Sequence, residues 1–287
     1  MAKLQRKYKL EVQNVFGGVT TIEPPFSLDF DIEKNIPSTV STGSMTVYNL
    51  GQTTRDEIYK DVRQVGLADL RLVNLYAGYE GETLSKIFTG TISHCYSRRI
   101  GTEFLTTIEV NSGSDFLANS YVSLEVPKDT PVRDYMATLV SQIRPQARRA
   151  IGNFEGTFKR SCQASGMADK LIKEYCDGNF FVDGDTVLVL KENEAIEGVL
   201  NIIDADSGLI GTPQREETFL LFDILFEPRL LLGQYIELKS SSTKYFNGQF
   251  KVVGFHHSGT ISESICGTAK TTVRVQFFPT DGRIVST

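Results

Sequence analysis

The sequence has 287 residues, of which 40% are apolar and 23% are charged, as in an ordinary soluble globular protein. Its net charge of −5 and pI near 5.4 argue against strong nonspecific binding of nucleic-acid phosphate. No apolar run approaches the roughly 18 residues that a membrane helix needs. Residues 1–15 are basic and lack an apolar core, so we expect neither a secretory signal nor stable membrane insertion.

Period-two alternation predicts that residues 1–115 are mainly β. Tyr8, Leu10 and Val12 alternate with polar residues, and Phe26–Ile32 places its apolar side chains on one face. Further strands are expected at Gly43–Leu50, Leu70–Tyr76, Ser85–Cys95 and Glu103–Val110. This pattern favours an antiparallel β-barrel or closed sandwich.

One helix is expected inside this β region, at Thr53–Val65. Thr53 or Thr54 can cap it, and Asp56 and Glu57 would lie in its first turn, where they favour the helix dipole. Its apolar face would carry Ile58, Val62 and Val65.

Residues 116–207 are expected to form a small α+β unit. A helix is predicted at Pro131–Ile143, with Thr130 as its cap. A second helix is predicted at Gln163–Cys176, and a Gly-Asn pair would end it. A hairpin then follows, with strands at Phe180–Val182 and Thr186–Leu190 around an Asp-Gly-Asp turn.

Residues 208–287 return to a β pattern. A hinge containing Gly208, Gly211 and Pro213 precedes an apolar run from Phe219 to Phe226. Eight mostly apolar residues between turn signals are typical of a strand that is covered on both faces. Further strands are expected at Tyr235–Lys239, Gly248–Phe255 and Thr271–Phe278.

The two β regions share a pattern that suggests an internal repeat. The first contains Phe-x-Gly-x-Ile at Phe88–Ile92 and Thr-Thr-Ile-x-Val at Thr106–Val110. The second contains Phe-x-Gly-x-Phe at Phe246–Phe250 and Thr-Thr-Val-x-Val at Thr271–Val275. Either a structural duplication or chance β patterning would account for these matches.

Several motifs, in order along nearly the whole chain, resemble those of phage tail baseplate hub proteins. In the first β region they are Val47-Tyr48-Asn49-Leu50 with Arg55, Ala77-Gly78-Tyr79, and Ile87–Ile92. In the last β region they are Ser207–Gln214, Leu225–Leu238 and Tyr245–Gly259. Each motif alone is weak, and their order and spacing carry the resemblance.

The resemblance implies an α+β, mainly β fold with two similar antiparallel β-barrel domains, residues 1–115 and 208–287. These domains would flank an α+β middle domain, residues 116–207. Hubs of this family resemble the core of type VI secretion spike proteins and form homotrimers. Two barrels per subunit then make a pseudo-sixfold ring.

Such a ring would join the hexameric tail tube to the trimeric central spike of a contractile tail and line the channel for DNA passage. The implied partners are the chain itself, the spike or puncturing protein, the tail tube or tube initiator, the baseplate wedge proteins and the tape measure protein. The implied location is the virion, after assembly in the host cytoplasm. No cofactor and no specific nucleic-acid binding are expected.

The resemblance implies a structural protein and not an enzyme. The sequence contains no GxSxG, HExxH or phosphate-loop motif. Two alternatives stay open: a tail-associated peptidoglycan hydrolase, and a hexameric distal-tail or tube-initiator protein with six copies instead of three.

Histidine and cysteine residues are the first candidates for chemistry. His256 and His257 are adjacent, and neighbours on a strand point to opposite faces, so they cannot readily bind one ion. The same argument separates His94 from Cys95 as a base and a nucleophile. The four cysteines form no CxxC pair and no zinc pattern, so we expect buried free thiols in a reducing cytoplasm. These are Cys95, Cys162, Cys176 and Cys266.

Charged clusters are the second set of candidates. Asp183 and Asp185, with Glu174 and Asp177 nearby, could serve as a carboxylate pair for glycoside cleavage, but an Asp-Gly-Asp segment is typical of a β-turn. A basic cluster after the first middle helix is either a solvated helix end or a docking patch for an acidic partner. It contains Arg144, Arg148 and Arg149. We therefore predict no catalytic, cofactor-binding or metal-binding residues.

Overall fold

The computed structural model describes residues 5–36, 41–61, 70–112, 121–143, 145, 147–176, 180–183, 186–263 and 267–285. Within these ranges the chain is mainly β and its largest sheet is antiparallel, which confirms that part of the predicted fold class. None of the helices in these ranges is both long and apolar enough to span a membrane.

Where the structure describes it, the N-terminal part contains seven strands and one helix. They are β1 (Arg6–Gln13), β2 (Val19–Ile22), β3 (Leu28–Asn35), β4 (Ser41–Tyr48), α1 (Gln52–Ile58), β5 (Leu72–Tyr79), β6 (Ser85–Ile100) and β7 (Glu103–Ser112). The middle part consists of β8 (Tyr121–Val126), α2 (Val132–Ile143), β9 (Arg148–Ile151), β10 (Cys162–Met167), α3 (Ala168–Cys176), β11 (Phe180–Asp183), β12 (Thr186–Val189), β13 (Glu194–Ile196) and β14 (Ile202–Ile203).

The C-terminal part is again built from strands. They are β15 (Leu209–Glu216), β16 (Phe219–Leu225), β17 (Tyr235–Leu238), β18 (Gly248–Ile261), β19 (Ala269–Phe277) and β20 (Arg283–Val285), with a 3₁₀ turn at Lys244–Phe246.

The N-terminal strands and β15 to β19 of the C-terminal part belong to one sheet of 13 strands, which also includes β14 beside β17. Its main path runs β15-β16-β19-β18-β3-β4-β7-β6-β5-β1-β2, and β17 joins it beside β18. Because β3 pairs with β18, the two β regions are continuous. The expected pair of separate closed barrels is therefore not found in the described residues, where the strands form one shared open sheet.

The described residues form three apolar clusters. The first lies under the N-terminal strands but also takes in Phe226, Ile261 and Ala269 from the C-terminal part. The second lies under β16 to β19 and takes in Phe181 and Leu188 from the middle part. The third packs α2 and α3 against β8 to β12. Long-range strand pairing thus brings distant segments into common cores.

Two helix predictions are wrong in detail. The first helix begins at Gln52 after Gly51, which makes no side-chain cap, so Asp56 and Glu57 fall beyond its first turn. Val62 and Val65 lie outside the described residues. The second half of Gln163–Cys176 is helical, but its first half is strand β10, because it pairs with β8 along six residues.

The sequence predicts that the apolar run Phe219–Phe226 is covered on both faces, and this prediction is also wrong. Burial alternates along β16: Leu220, Phe222 and Ile224 are buried, whereas Leu225 is 38% exposed. Phe226, immediately after the strand, is fully buried. The strand is therefore half-buried, with Asp223 on its polar face, and ordinary period-two burial replaces the predicted two-sided core.

Candidate assembly interface

The large sheet contains the same five-strand arrangement twice. We call β3 to β7 the first repeat and β15 to β19 the second repeat. In the first repeat the spatial order is β3-β4-β7-β6-β5, and in the second it is β15-β16-β19-β18-β17. Every neighbouring pair in both repeats is antiparallel. The topology therefore supports a duplication more strongly than the short sequence matches do.

A β-bulge occurs at the same place in both repeats. In the first, the register between β6 and β7 shifts between Ile92 and His94, and in the second the register between β18 and β19 shifts between Val252 and Gly254. Each bulge faces the Thr-Thr-x-x-Val segment, with Ile92 opposite Val110 and Val252 opposite Val275. Bulges are specific features that fix register, so this shared position aligns the two repeats residue by residue.

The other half of the predicted repeat pattern is not equivalent in the structure. The bulges align Ile92 with Val252, whereas the Phe-x-Gly match aligns Ile92 with Phe250, two residues earlier. Phe88 is buried within β6, whereas Phe246 lies in the 3₁₀ turn before β18. The Phe-x-Gly similarity is therefore coincidental, because β6 begins earlier than β18 relative to its bulge.

The two repeats meet along a seam of eight residue pairs between β3 and β18. The pairs run from Leu28 opposite Ile261 to Asn35 opposite Gly254. Along the same edge of β18, the four residues at the strand's start pair instead with β17. The second half of β18 is thus the part that reaches the other repeat.

One side of the seam belongs to a continuous polar sheet face. We define the polar face by its outward-pointing side chains on eight successive strands, β15-β16-β19-β18-β3-β4-β7-β6. Hydrogen bonds link neighbouring strands across it: Thr260 donates to Asp29 at 2.6 Å, and Thr272 donates to Asp223 at 2.6 Å. Thr46 and Thr107 lie 3.1 Å apart through their hydroxyl oxygens.

Carboxylates outnumber cations on the polar face. Its acidic side chains are Asp29, Asp31, Glu33, Glu103, Glu109, Glu216 and Asp223, and its basic side chains are Lys86, Arg98, Lys270 and Arg274. Lys270 lies 2.7 Å from Asp223, and Arg274 lies 2.7 Å from Glu216. The face therefore carries a net negative charge, concentrated on β3.

Hydrogen bonds set the protonation of several groups on this face. The hydrogen bond to Asp29, together with partial burial, raises the pKa of Tyr48 to about 12, so its hydroxyl stays a donor. Partial burial would raise the pKa of Asp223, but hydrogen bonds from Lys270 and Thr272 outweigh it and lower that pKa. Both groups therefore keep the face polar and acidic near neutral pH.

The opposite side of the seam is buried and holds an unusual set of polar groups. His257 is 1% exposed, and its Nδ1 lies 2.8 Å from the Thr271 hydroxyl. Its ring contacts Phe226 and Phe255. Lys34, from β3, forms a buried ion pair with Asp183 of β11, which ties the seam to the middle part of the chain.

The adjacent histidines lie on opposite faces of β18, as the sequence predicts. His256 Nε2 lies 2.9 Å from Asp31 on the polar face, while His257 lies in the core. Burial lowers the pKa of His257 well below its usual range, and the positive charge of Lys34 lowers it further.

This depressed pKa predicts acid sensitivity. The folded chain keeps His257 neutral, whereas the unfolded chain protonates it near pH 6.5. The contribution of neutral His257 to the free energy of unfolding is therefore complete above about pH 6.5. Below that pH the free energy of unfolding falls by at most about 1.4 kcal/mol per pH unit. Urea unfolding between pH 7.5 and pH 5 should show that His257→Gln removes part of this fall. His256→Gln should keep it, and equal slopes in both variants would contradict the assignment.

The remaining candidate residues do not come together as catalytic sites. Cys95 is fully buried, and burial raises its pKa to about 12, so it is held as a thiol. His94 lies on the other face, 3.9 Å from Glu109. Cys176 is buried and Cys162 half-buried, and Cys266 lies outside the described residues. The predicted burial is therefore found for Cys95 and Cys176 but not for Cys162, and no disulfide joins these three cysteines.

Asp183, the described member of the proposed carboxylate pair, is engaged by Lys34. Asp185 and Asp177 lie outside the described residues, as does Arg144. The Arg149 guanidinium donates to the Ala137 carbonyl of α2, which favours the helix-end interpretation for that residue. In the described part of the chain, no group of three or more His, Cys, Asp or Glu side chains is placed to hold a metal ion.

Sequence reasoning did not find the polar face. Its signal is present in the alternation of Asp29, Asp31 and Glu33 with Leu28, Phe30 and Ile32. That alternation shows that one side of β3 is solvated, but the pairing of β3 with β18 is needed to join it to the second repeat.

Known structures share this fold at low sequence identity. A tail protein from Neisseria meningitidis MC58 superposes with a TM-score of 0.57 at 10% identity, covering 96% of this chain and 99% of that one. The 43 kDa tail protein of prophage MuSo2 from Shewanella oneidensis gives a TM-score of 0.54 at 7% identity, covering 93% and 97%. These identities establish similarity of fold.

A third structure extends the similarity to secretion systems. The E. coli c3393 protein, a type VI secretion component described as similar to the T4 tail proteins gp27 and gp5, gives a TM-score of 0.53 at 9% identity. The match covers 89% of this chain and 75% of that one. A search of curated proteins finds no match.

The family model for baseplate hub gp41 matches residues 9–258, from β1 to the second half of β18. The match thus includes the first repeat, the middle part and most of the seam, and it covers the second repeat only as far as β18 because it ends before β19. The chain therefore belongs to the baseplate hub gp41 family, whose members are structural proteins of phage tails.

Proposed function

We propose that this hub protein forms a homotrimeric ring with pseudo-sixfold symmetry. The observation that carries the proposal is the duplication: one chain contains two five-strand repeats with the same order and the same bulge. Three such chains present six similar modules towards a hexameric tail tube while keeping threefold symmetry towards a spike. The duplicated chain would thereby resolve the symmetry mismatch between tube and spike.

We propose a division into three domains at the boundaries that the sequence indicates, residues 1–115, 116–207 and 208–287. The third apolar cluster supports a separate middle domain, because its buried residues all lie between Val122 and Val189. The two outer domains share the large sheet through the seam. In this proposal the seam replaces a flexible linker and fixes the angle between the two modules of one chain.

We propose that the polar face lines the channel through which DNA passes. Its excess of carboxylates supports this orientation, since like charge keeps DNA from adhering to the wall. The opposite side of the sheet is apolar and is covered by the cores of the molecule. The ring would then expose acidic and hydroxyl side chains inward and use its apolar side to hold the fold together.

The proposed partners follow from this placement in the virion. The ring would contact the tail tube or tube initiator on one side and the spike on the other, with wedge proteins around it and the tape measure protein within the tail. The hub would act without catalysis, since Asp183, the described member of the candidate carboxylate pair, is held by Lys34.

Imaging of purified tail ends tests this function. Averaged images should show a threefold ring of three copies, with β3 and β18 on the channel wall. Six equivalent copies would instead identify a distal-tail or tube-initiator protein. The purified protein should produce no clearing on a peptidoglycan zymogram, and any clearing would contradict the proposed absence of enzyme activity without bearing on the ring.

A further inference from the structure

The internal seam has an unpaired counterpart at the two ends of the eight-strand path. The second half of β18 pairs with β3, the first strand of the other repeat. The corresponding segments are the second half of β6 and strand β15, the first strand of the second repeat. In the described residues neither segment has a strand along its outer edge. β15 pairs only with β16, and β6 beyond its bulge pairs with β7 and, at Cys95 alone, with Lys60 in an isolated bridge.

We infer that β15 of one subunit pairs with the second half of β6 of the next subunit, in the register of the internal seam. This inference rests on the proposed trimer and specifies its contact. An edge of unpaired N–H and C=O groups is a template for another strand. Because β6 and β15 lie at opposite ends of the path, the contact is head-to-tail and closes into a ring.

The shared bulge gives the register of the inferred contact. It makes Ile100, Arg98 and Tyr96 of β6 equivalent to Thr260, Ser258 and His256 of β18. Pairing through β4 and β16 makes Ile210, Gln214 and Glu216 of β15 equivalent to Asp29, Asp31 and Glu33 of β3. The inferred pairs are therefore Ile210 with Ile100, Gln214 with Arg98, and Glu216 with Tyr96.

The side chains on the two edges complement each other in this register. Ile100 and Ile210 are 51% and 42% exposed, and the register places these two isoleucines directly opposite each other. Arg98 would lie opposite Gln214 and diagonal to Glu216, within reach of both. In the internal seam, Thr260 and Asp29 are equivalent to Ile100 and Ile210, and their side-chain oxygens lie 2.6 Å apart.

Backbone directions agree with this arrangement. The backbone N–H and C=O of Cys95 form hydrogen bonds with Lys60, so they point to the outer edge of β6. The equivalent residue of β18, Phe255, lies opposite Lys34 of β3. By alternation, Ser97 and Arg99 then present their backbone groups outward. On β15, Leu225 N–H donates to the Gly208 carbonyl, so the odd-numbered residues of β16 face β15 and the backbone groups of Arg215 face outward.

The bulge in β15 divides the inferred contact into two short segments. The register between β15 and β16 shifts between Ile210 and Gln214, and the buried Pro213 lies in this interval. Proline lacks an N–H, and its place at a bulge of an edge strand costs no ladder bond. The contact would therefore resume at Gln214 after Ile210 and Gly211.

Cysteine cross-linking of the full chain tests the register. In the double variant Ile100→Cys and Ile210→Cys, the two sulfurs would belong to a non-hydrogen-bonded pair, whose Cα separation of about 4.5 Å suits a disulfide. Non-reducing gels should show covalent dimers and trimers that neither single variant forms. Trimers by native mass with no cross-link beyond the single variants would overturn the inferred contact and leave the trimer proposal intact.

A pair of proline variants tests the edge itself. Arg215→Pro removes an outward N–H, so it should leave the melting temperature of the chain unchanged and weaken trimer association roughly tenfold per contact. Gln214→Pro removes a bond to β16 and should lower the melting temperature. Unweakened trimers of Arg215→Pro would overturn the contact, whereas a monomeric wild type would remove the trimer on which it rests.

Discussion

Replacing Phe226 with alanine is expected to destabilise the protein by about 3–5 kcal/mol, as for other fully buried phenylalanines. Phe226 follows β16 of the second repeat, yet its ring lies in the core of the first, 5.4 Å from Phe30 and 6.4 Å from Tyr79 between ring centroids. It also contacts His257. The substitution would leave a cavity where the two repeats are joined.

Urea unfolding followed by circular dichroism measures this effect. Phe16→Ala is the matched control, because the Phe16 ring is 81% exposed and its removal should change stability by no more than about 0.5 kcal/mol. The hydrogen bond from the Tyr79 hydroxyl to the Phe226 carbonyl, 2.6 Å long, uses the backbone and survives the substitution. Equal effects of the two variants would show that Phe226 does not join the repeats.

Replacing Ile224 with aspartate should cost more than about 4 kcal/mol, because it places an unpaired charge in an apolar core. Ile224 is 1% exposed and belongs to the second apolar cluster. A loss of this size is a large part of the 5–15 kcal/mol that typically stabilises a domain. We therefore expect insoluble or unfolded protein.

The neighbouring residue provides the control. Leu225→Asp changes the next side chain of the same strand, which is 38% exposed and lies opposite Lys270. An aspartate there can pair with that lysine, so soluble protein with a nearly unchanged melting temperature is expected. Similar losses in both variants would mean that β16 is covered on both faces, which is the arrangement that its apolar sequence suggests.

The strands were predictable wherever burial follows a simple alternation. Leu28, Phe30 and Ile32 identify β3 correctly because side chains of a strand alternate between core and solvent. The apolar residues of β16 mislead because Phe219 and Leu221 lie partly covered on the polar face, and composition alone does not separate partial from full burial. Local sequence also favours a helix at residues 163–167, where pairing with β8 imposes a strand.

The assembly features depend on long-range pairing that periodicity does not contain. The Thr-Thr segments do mark equivalent positions in the two repeats, and the bulges confirm that equivalence. The seam, by contrast, joins residues more than 200 positions apart, such as Asp31 and Ser258. No motif in either strand indicates which strand it pairs with, so the continuous sheet and its polar face are found only from the structure.

The mass of the purified chain under native conditions tests the central claim most directly. The duplicated repeats predict a trimer at three times the chain mass of 31.9 kDa, or about 96 kDa. This species should persist on dilution if its subunits are joined by paired strands. A monomer at high protein concentration, or a hexamer, would contradict a ring of three chains with six similar modules.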